Sequence, residues 1–302
     1  MTTLSTAAAR QKLASLRTTD SQTPLTYPPS EIHALGTHLL TLSLPDPEHY
    51  ALLEQTFTAA LDTGNIPSAE SLLQKISTRF PFDTSIRTQR LYGLLNEATG
   101  NFDKAAEIYE TALKQDESNI AILKRLVAIL VERGQRHEAI IRLKTYADTF
   151  MQDTECWSQL ASLYLSENMY EQAAFCYEEL LMLKPQNHLY YIRYADLVAT
   201  LGRWEVAVKY YCAALELTAD NVRALYGLRA ATAAVLGDGG VEGSKAKGVK
   251  SAAVVEAKTA PSVETLHALH KLAGDRLTAL FEGQGKDGAE LTTVVKSWLQ
   301  AN

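Results

Sequence analysis

GNFDKAAEIYETAL, residues 100–113, sets the period of this chain. A step of 34 residues from Gly100 reaches Gly134 in GQRHEAIIRLKTYA, a second reaches Asn168 in NMYEQAAFCYEELL, and a third reaches Gly202 in GRWEVAVKYYCAAL. A step of 36 backwards reaches Gly64 in GNIPSAESLLQKIS. Five residues after each mark stands an alanine: Ala69, Ala105, Ala139, Ala173 and Ala207. Nine after each mark stands a large residue: Leu73, Tyr109, Leu143, Tyr177 and Tyr211. A recurrence of this length is the mark of a repeat architecture, in which each unit buries its apolar face only against its neighbours.

The columns have a physical reading. Gly or Asn at the mark tolerates the left-handed backbone that ends one helix and turns the chain into the next. The alanine sits where two helices cross, because a larger side chain would push their axes apart. The large residue four positions on lies on the same face, one turn further, and fills the groove beside that contact. Each unit is therefore expected to be a pair of antiparallel helices, and the chain all-α.

This pattern resembles the tetratricopeptide repeat, whose period is 34 residues. Thr154–Asn187 shows it best, with Trp157, Leu160, Ala161, Tyr164, Ala173, Tyr177 and Pro185 at the offsets of that motif. The unit from Ile86 has Gly93 in the small-residue column but Tyr92 where Leu is usual, and the units from Ile120 and His188 lack both Trp and the closing Pro. The resemblance implies a tetratricopeptide-repeat α-solenoid, a right-handed superhelix with short capping helices at both ends. The expected organisation is N-terminal capping helices over 1–49, the repeat array over 50–236, a flexible linker over 237–261 and C-terminal helices over 262–302. Ser30 is expected to cap the helix carrying Ile32, Leu35, Leu39 and Leu42, and Pro45 and Pro47 to end it. The linker reading rests on GDGGVEGSKAKG. The last two stripes are Leu266, Leu269, Ala273, Leu277, Leu280 and Phe281, and then Leu291, Val294, Val295, Trp298 and Leu299. They need a partner surface, either the end of the array or another subunit.

Composition narrows the function. The chain has 302 residues, 29 basic and 35 acidic, and a formal net charge of −6. An acidic balance opposes non-specific nucleic-acid binding, which neutralises phosphates with Lys and Arg. Three cysteines cannot form a fully paired framework, and Cys156, Cys176 and Cys212 read as small packed residues of a reducing compartment. No run approaches the about 20 apolar residues of a spanning helix, since Ile120–Val131 is interrupted by Lys124 and Arg125. Residues 1–17 lack the apolar run of a signal peptide.

The motifs of bond chemistry are missing from the sequence. Gly239, Gly243, Ser244 and Lys245 have the wrong spacing for a phosphate loop and follow no strand. His267 and His270 lie three apart on a helix, but no neighbouring carboxylate or cysteine completes a metal shell. Neither GxSxG nor HExxH occurs. No catalytic residue, metal or cofactor is expected.

The remaining candidate is the concave groove, lined by the second, fifth, ninth and twelfth residues of each unit. The partner-binding candidates there are Arg87, Arg90, Leu94, Lys124, Ala128, Ser158, Ser162, Ile192 and Asp196. Glu97, Ala121, Val131, Glu155, Leu165, Leu189, Ala199, Arg223 and Tyr226 complete the reading. The groove is basic in its N-terminal half and mixed afterwards. No unit carries the Lys and Asn pair with which chaperone-binding repeats hold a terminal carboxylate, although Arg90 and Lys124 suit an acidic segment. Reversing the charges of those two is expected to leave folding nearly intact. Tyr190, Tyr191, Tyr210 and Tyr211 are either core or interface.

Beyond the generic repeat, FPFDTSIRTQRLYGLLNEATGNFDKAAEIYETALKQDESNIAILKR from Phe80, AAFCYEELLMLKPQNHLYYIRYADL from Ala173 and YYCAALELTADNVRALYGL from Tyr210 resemble the family of the second subunit of the endoplasmic reticulum membrane protein complex. The run AAFCYEELLMLKPQNHLYY is the most telling, because columns free to vary in a generic repeat agree as well. The resemblance covers about Ile32 to Leu236, while the tail has no matching counterpart. It implies a peripheral, non-catalytic scaffold on the cytosolic face of the endoplasmic reticulum membrane. Such a subunit braces cytosolic segments of membrane subunits and a second soluble subunit in a complex that inserts tail-anchored and multi-spanning proteins. The alternative is a free cytosolic adaptor or co-chaperone that binds peptide segments.

Overall fold

The hairpin turns show directly why the marked column exists. Gly64, Gly100, Gly134 and Gly202 have φ between 72° and 77°, and Asn168 has φ 58°. At Gly100 the turn is closed by two bonds, Gly100 N–H to Glu97 O at 2.9 Å and Asn101 N–H to Asn96 O at 2.8 Å. This pairing satisfies carbonyls that a helix end leaves open. The same two-bond closure recurs at Gly64, Gly134, Asn168 and Gly202.

The structure, a computed structural model, describes residues 6–18, 28–42, 45–237, 261–282 and 293–299, and among these there is no strand. The helices are α1 (Thr6–Thr18), α2 (Pro29–Leu39), α3 (Asp46–Asp62), α4 (Ile66–Arg79), α5 (Ile86–Ala98), α6 (Phe102–Gln115), α7 (Ile120–Glu132), α8 (Arg136–Thr149), α9 (Thr154–Ser166), α10 (Tyr170–Leu183), α11 (His188–Thr200), α12 (Trp204–Leu217), α13 (Val222–Gly237), α14 (Val263–Glu282) and α15 (293–299). Side-chain caps open many of them: Asn65, Ser85, Asn119, Asp153 and Asn187 each accept a backbone N–H of the first turn, a contact worth about 1 kcal/mol each. The chain divides into two compact units, Met1–Ala139 and Ile140–Asn302, and the boundary falls inside α8.

In the first unit α2 packs on α3, α3 on α4, α5 on α6 and α6 on α7. The crossing alanines Ala69 and Ala105 are wholly buried, as is Ala139 at the unit's end. Leu73 and Tyr109 are buried beside the first two. Gly93 lets the Tyr109 ring lie against α5, since a Cβ there would stand 2.2 Å from Tyr109 Cε1. Two expectations for the N-terminal region are corrected. The cap of α2 is Pro28, with Ser30 inside the first turn, because Pro29 at the first helical position has no N–H to satisfy. Pro45 and Pro47 open α3 and do not end α2, which stops at Leu39.

In the second unit α9 packs with α10, α11 with α12, and α12 with α13. Ala173 and Ala207 are wholly buried, and Leu143, Tyr177 and Tyr211 fill their expected core positions. Tyr211 is core, while Tyr190, Tyr191 and Tyr210 are half-buried. Tyr194 and Tyr210 meet edge to face at 4.5 Å between ring centres. After α13, α14 lies along it, burying Leu266, Ala273 and Leu277 in the same core. Val295 of α15 is buried there too, and Trp298 meets Tyr226 edge to face at 4.8 Å. Buried Arg229 donates from Nη2 to the Leu299 carbonyl at 2.6 Å, serving one of the open carbonyls at the end of α15. Most of the Gly- and Lys-rich linker, and Leu291, lie outside the described residues.

Candidate partner-binding surface

Within the first unit the groove candidates stand on α5 and α7. Ser85 caps α5 and so directs Arg87 and Arg90, in its first turns, toward α3. Glu54 of α3 receives both: Arg87 Nε donates to Oε2 at 2.6 Å and Arg90 Nη2 to Oε1 at 2.7 Å. Glu54 keeps 15% of its side chain exposed and Arg90 32%, whereas Arg87 keeps 71%. Arg90 Nε is buried with no hydrogen-bond partner. The basic character expected of this half is thus reduced by a carboxylate that the groove columns omit. Leu94 is half-buried and packs against the core of α3, α4 and α5. Lys124 and Ala128 are half-buried on α7.

Glu97 is committed to internal bonds. It accepts from the Tyr109 hydroxyl at 2.5 Å and from Arg125 Nε at 3.0 Å. Burial and the Glu97 charge both hold the Tyr109 phenol protonated far above its ordinary range.

Within the second unit Ser158 is half-buried and Ser162 exposed on α9. Ile192 corrects the reading of the fifth column: it is 2% exposed and packed among Ala195, Tyr211 and Leu225. Its place on the first helix of the pair turns it into the core and offers no side chain to a partner. Asp196 accepts from the Tyr211 hydroxyl at 2.6 Å and from Arg223 Nη2 at 2.6 Å. Its two oxygens therefore serve the fold. Leu189, in the first turn of the same helix, is 54% exposed.

Among the described residues no three of His, Cys, Asp and Glu gather as a metal site. Cys156 and Cys176 are buried and Cys212 half-buried. Burial pushes the Cys176 thiol up to about 12, the opposite of an activated nucleophile. His267 is exposed, and His270 has its Nδ1 3.1 Å from Thr232 Oγ1.

Sequence reasoning missed Glu54 and the pocket beside it, because the groove columns begin at Arg87 and leave out α3. The signal available was Tyr50 and Glu54 four apart on one helical face.

A model of the family described as the EMC2 TPR-like repeat domain matches residues 76–218. The chain is 42% identical over 182 residues to ER membrane protein complex subunit 2-A of Xenopus laevis, covering 59% of this chain and 61% of that protein. It is 36% identical over 181 residues to ER membrane protein complex subunit 2 of Dictyostelium discoideum, covering 59% and 56%. Against the Xenopus relatives, then, the chain spans about three fifths of their length. Among solved structures, the C-terminal part of a TPR repeat-containing protein from Cytophaga hutchinsonii superposes with a TM-score of 0.55 at 13% identity, covering 86% of this chain and 93% of that one. That likeness shows the tetratricopeptide-repeat α-solenoid fold. The shared columns and the matched stretch together make the repeat region of this chain similar to that of ER membrane protein complex subunit 2.

Proposed function

We propose that the chain is a non-catalytic scaffold subunit of the endoplasmic reticulum membrane protein complex, held peripherally on the cytosolic face of that membrane. The observation that carries this is the match of residues 76–218 to the EMC2 repeat domain. Among the described residues no helix is long and apolar enough to cross a membrane, so attachment through membrane-embedded partners fits the reading. The scaffold braces cytosolic segments of integral subunits and a second soluble subunit, in support of inserting tail-anchored and multi-spanning proteins. Its physical basis is side chains spent on packing. The carboxylates Glu97 and Asp196 close internal networks, and the alanine column locks the helices together.

Capture of the tagged chain from detergent-solubilised endoplasmic reticulum membranes tests the reading. Integral membrane proteins should co-purify in fixed ratio and persist in high salt, as an interface with an apolar centre requires. A chain recovered wholly in the soluble fraction, free of membrane proteins, overturns the reading in favour of a free adaptor.

A further inference from the structure

The first unit contains a pocket that the groove columns do not describe. It lies where the N-terminal end of α3, the C-terminal end of α4 and the first turns of α5 meet, and it holds about 500 Å³. Buried Ile76 and Leu91 line it along with Ala51. Tyr50 and Phe80 add an aromatic wall, edge to face with ring centres 5.1 Å apart. Phe80 remains 42% exposed, although its ring is apolar. The volume is within the range of pockets that bury a ligand or a large side chain.

The surrounding charge is one-sided. Arg79, Glu54 and Arg87 line the pocket, and Arg90 shares Glu54 with Arg87. Three guanidiniums against one carboxylate leave two positive charges uncompensated. A second depression of about 380 Å³, lined by Ile86, Asn119 and Ile122 as well as Arg87 and Arg90, adjoins the first through Arg87. Arg87 thus stands between two depressions, with most of its side chain in solvent and N–H donors that Glu54 does not use. Nucleic acid is a poor fit, because two charges on a net acidic chain neutralise few phosphates.

We propose that this pocket is the docking site for a short extended segment of a partner protein carrying one aromatic side chain flanked by carboxylates. The ring packs against the wall that Tyr50 and Phe80 form, over Ile76 and Leu91, and the carboxylates meet Arg79 and Arg87 in charge-assisted hydrogen bonds. The proposal rests on the scaffold reading above for the source of the segment, and on the pocket alone for its chemistry.

The probe is a fluorescein-labelled peptide, Gly-Glu-Asp-Phe-Asp-Glu-Gly, titrated with the full chain and followed by fluorescence anisotropy. The expected result is saturable binding that weakens by about tenfold when Ala replaces its Phe, and by at least as much when Lys replaces its acids. Ala51→Trp, which fills the pocket, and Arg79→Glu should each weaken binding about tenfold. Arg79 and Phe80 are exposed, so Arg79→Glu and Phe80→Ser serve should Ala51→Trp fail to fold, with circular dichroism as the control. Absent binding, or equal binding by the wild type, Arg79→Glu and Phe80→Ser, overturns the proposal. So does equal affinity for the Lys peptide. A titration that fails while membrane proteins still co-purify removes the pocket and spares the scaffold reading; the converse removes the scaffold reading alone.

Discussion

The Tyr211 hydroxyl donates to Asp196 Oδ1 at 2.6 Å across the α11–α12 hairpin, and Arg223 of α13 holds the other oxygen of the same carboxylate. Tyr109, Glu97 and Arg125 repeat the arrangement on α6, α5 and α7. In both, a carboxylate on the first helix of a unit is tied to its second helix by a tyrosine and to the next unit by an arginine. Tyr211→Phe should cost about 0.5–1.5 kcal/mol, and Asp196→Ala more, about 1.5–3 kcal/mol, because it strands a buried phenol. Urea unfolding followed by far-ultraviolet circular dichroism measures both. Equal costs would show that the carboxylate adds nothing beyond the tyrosine bond.

Gly93 and Gly227 are needed for room. A Cβ at Gly227 would stand 2.4 Å from Tyr211 Cε1, and one at Gly93 would stand 2.2 Å from Tyr109 Cε1. Gly93→Ala should destabilise by about 1–3 kcal/mol through overpacking. The added Tyr109→Leu should restore part of that loss, whereas Tyr109→Phe should not, because the clash is with the ring itself. A double-mutant cycle in denaturant reads the difference.

Gly202 has φ 77° with nothing within 4 Å of the position a Cβ would take. Gly202→Ala therefore isolates backbone strain from crowding, and should cost about 1–2 kcal/mol. Asn168 occupies the same conformation at φ 58°, so Asn168→Gly should be neutral or slightly stabilising. Thermal melts of the two variants, run side by side, check the sign.

Arg90 is more than a groove charge. It supplies one of the two arginines on Glu54, which is largely enclosed. Arg90→Glu should cost about 1 kcal/mol, allowing for solvent screening at this partly exposed pair. This revises the expectation that reversing Arg90 and Lys124 leaves folding nearly intact. Glu54→Gln in the same chain should recover stability, as measured by the urea midpoint.

His270 gives the second unit a pH dependence. Burial first, and then the Arg229 charge, lowers its pKa below the ordinary value; His267 adds a smaller push in the same direction. The unfolded chain therefore binds a proton more readily than the folded one. The neutral form is intact above about pH 6.5, the ordinary histidine value, and stability falls as pH drops below it. His270→Asn should flatten the melting temperature between about pH 7 and 5, and an unchanged slope would remove His270 as its source.

The residues readable in sequence were those whose role repeats. The marked glycines and Asn168, the crossing alanines and the large residue four positions later all occupy the places their spacing required. Each answers to local physics, a left-handed turn or a close helix crossing, that returns with every unit. The groove was less legible. Its columns name positions on a helix, but Ile192 turns inward while Arg90 and Asp196 are taken up by partners on other helices.

Sequence alone determined the helical hairpins and their turns, because the period, the turn residues and the crossing alanines act within one unit or between adjacent ones. Tertiary structure decided which charges remain for a partner. Glu54 lies 33 and 36 residues before the two arginines that hold it, and only the packing of α3 against α4 and α4 against α5 brings them into contact. The aromatic pocket arises in the same way, from three helix ends that no spacing rule places together.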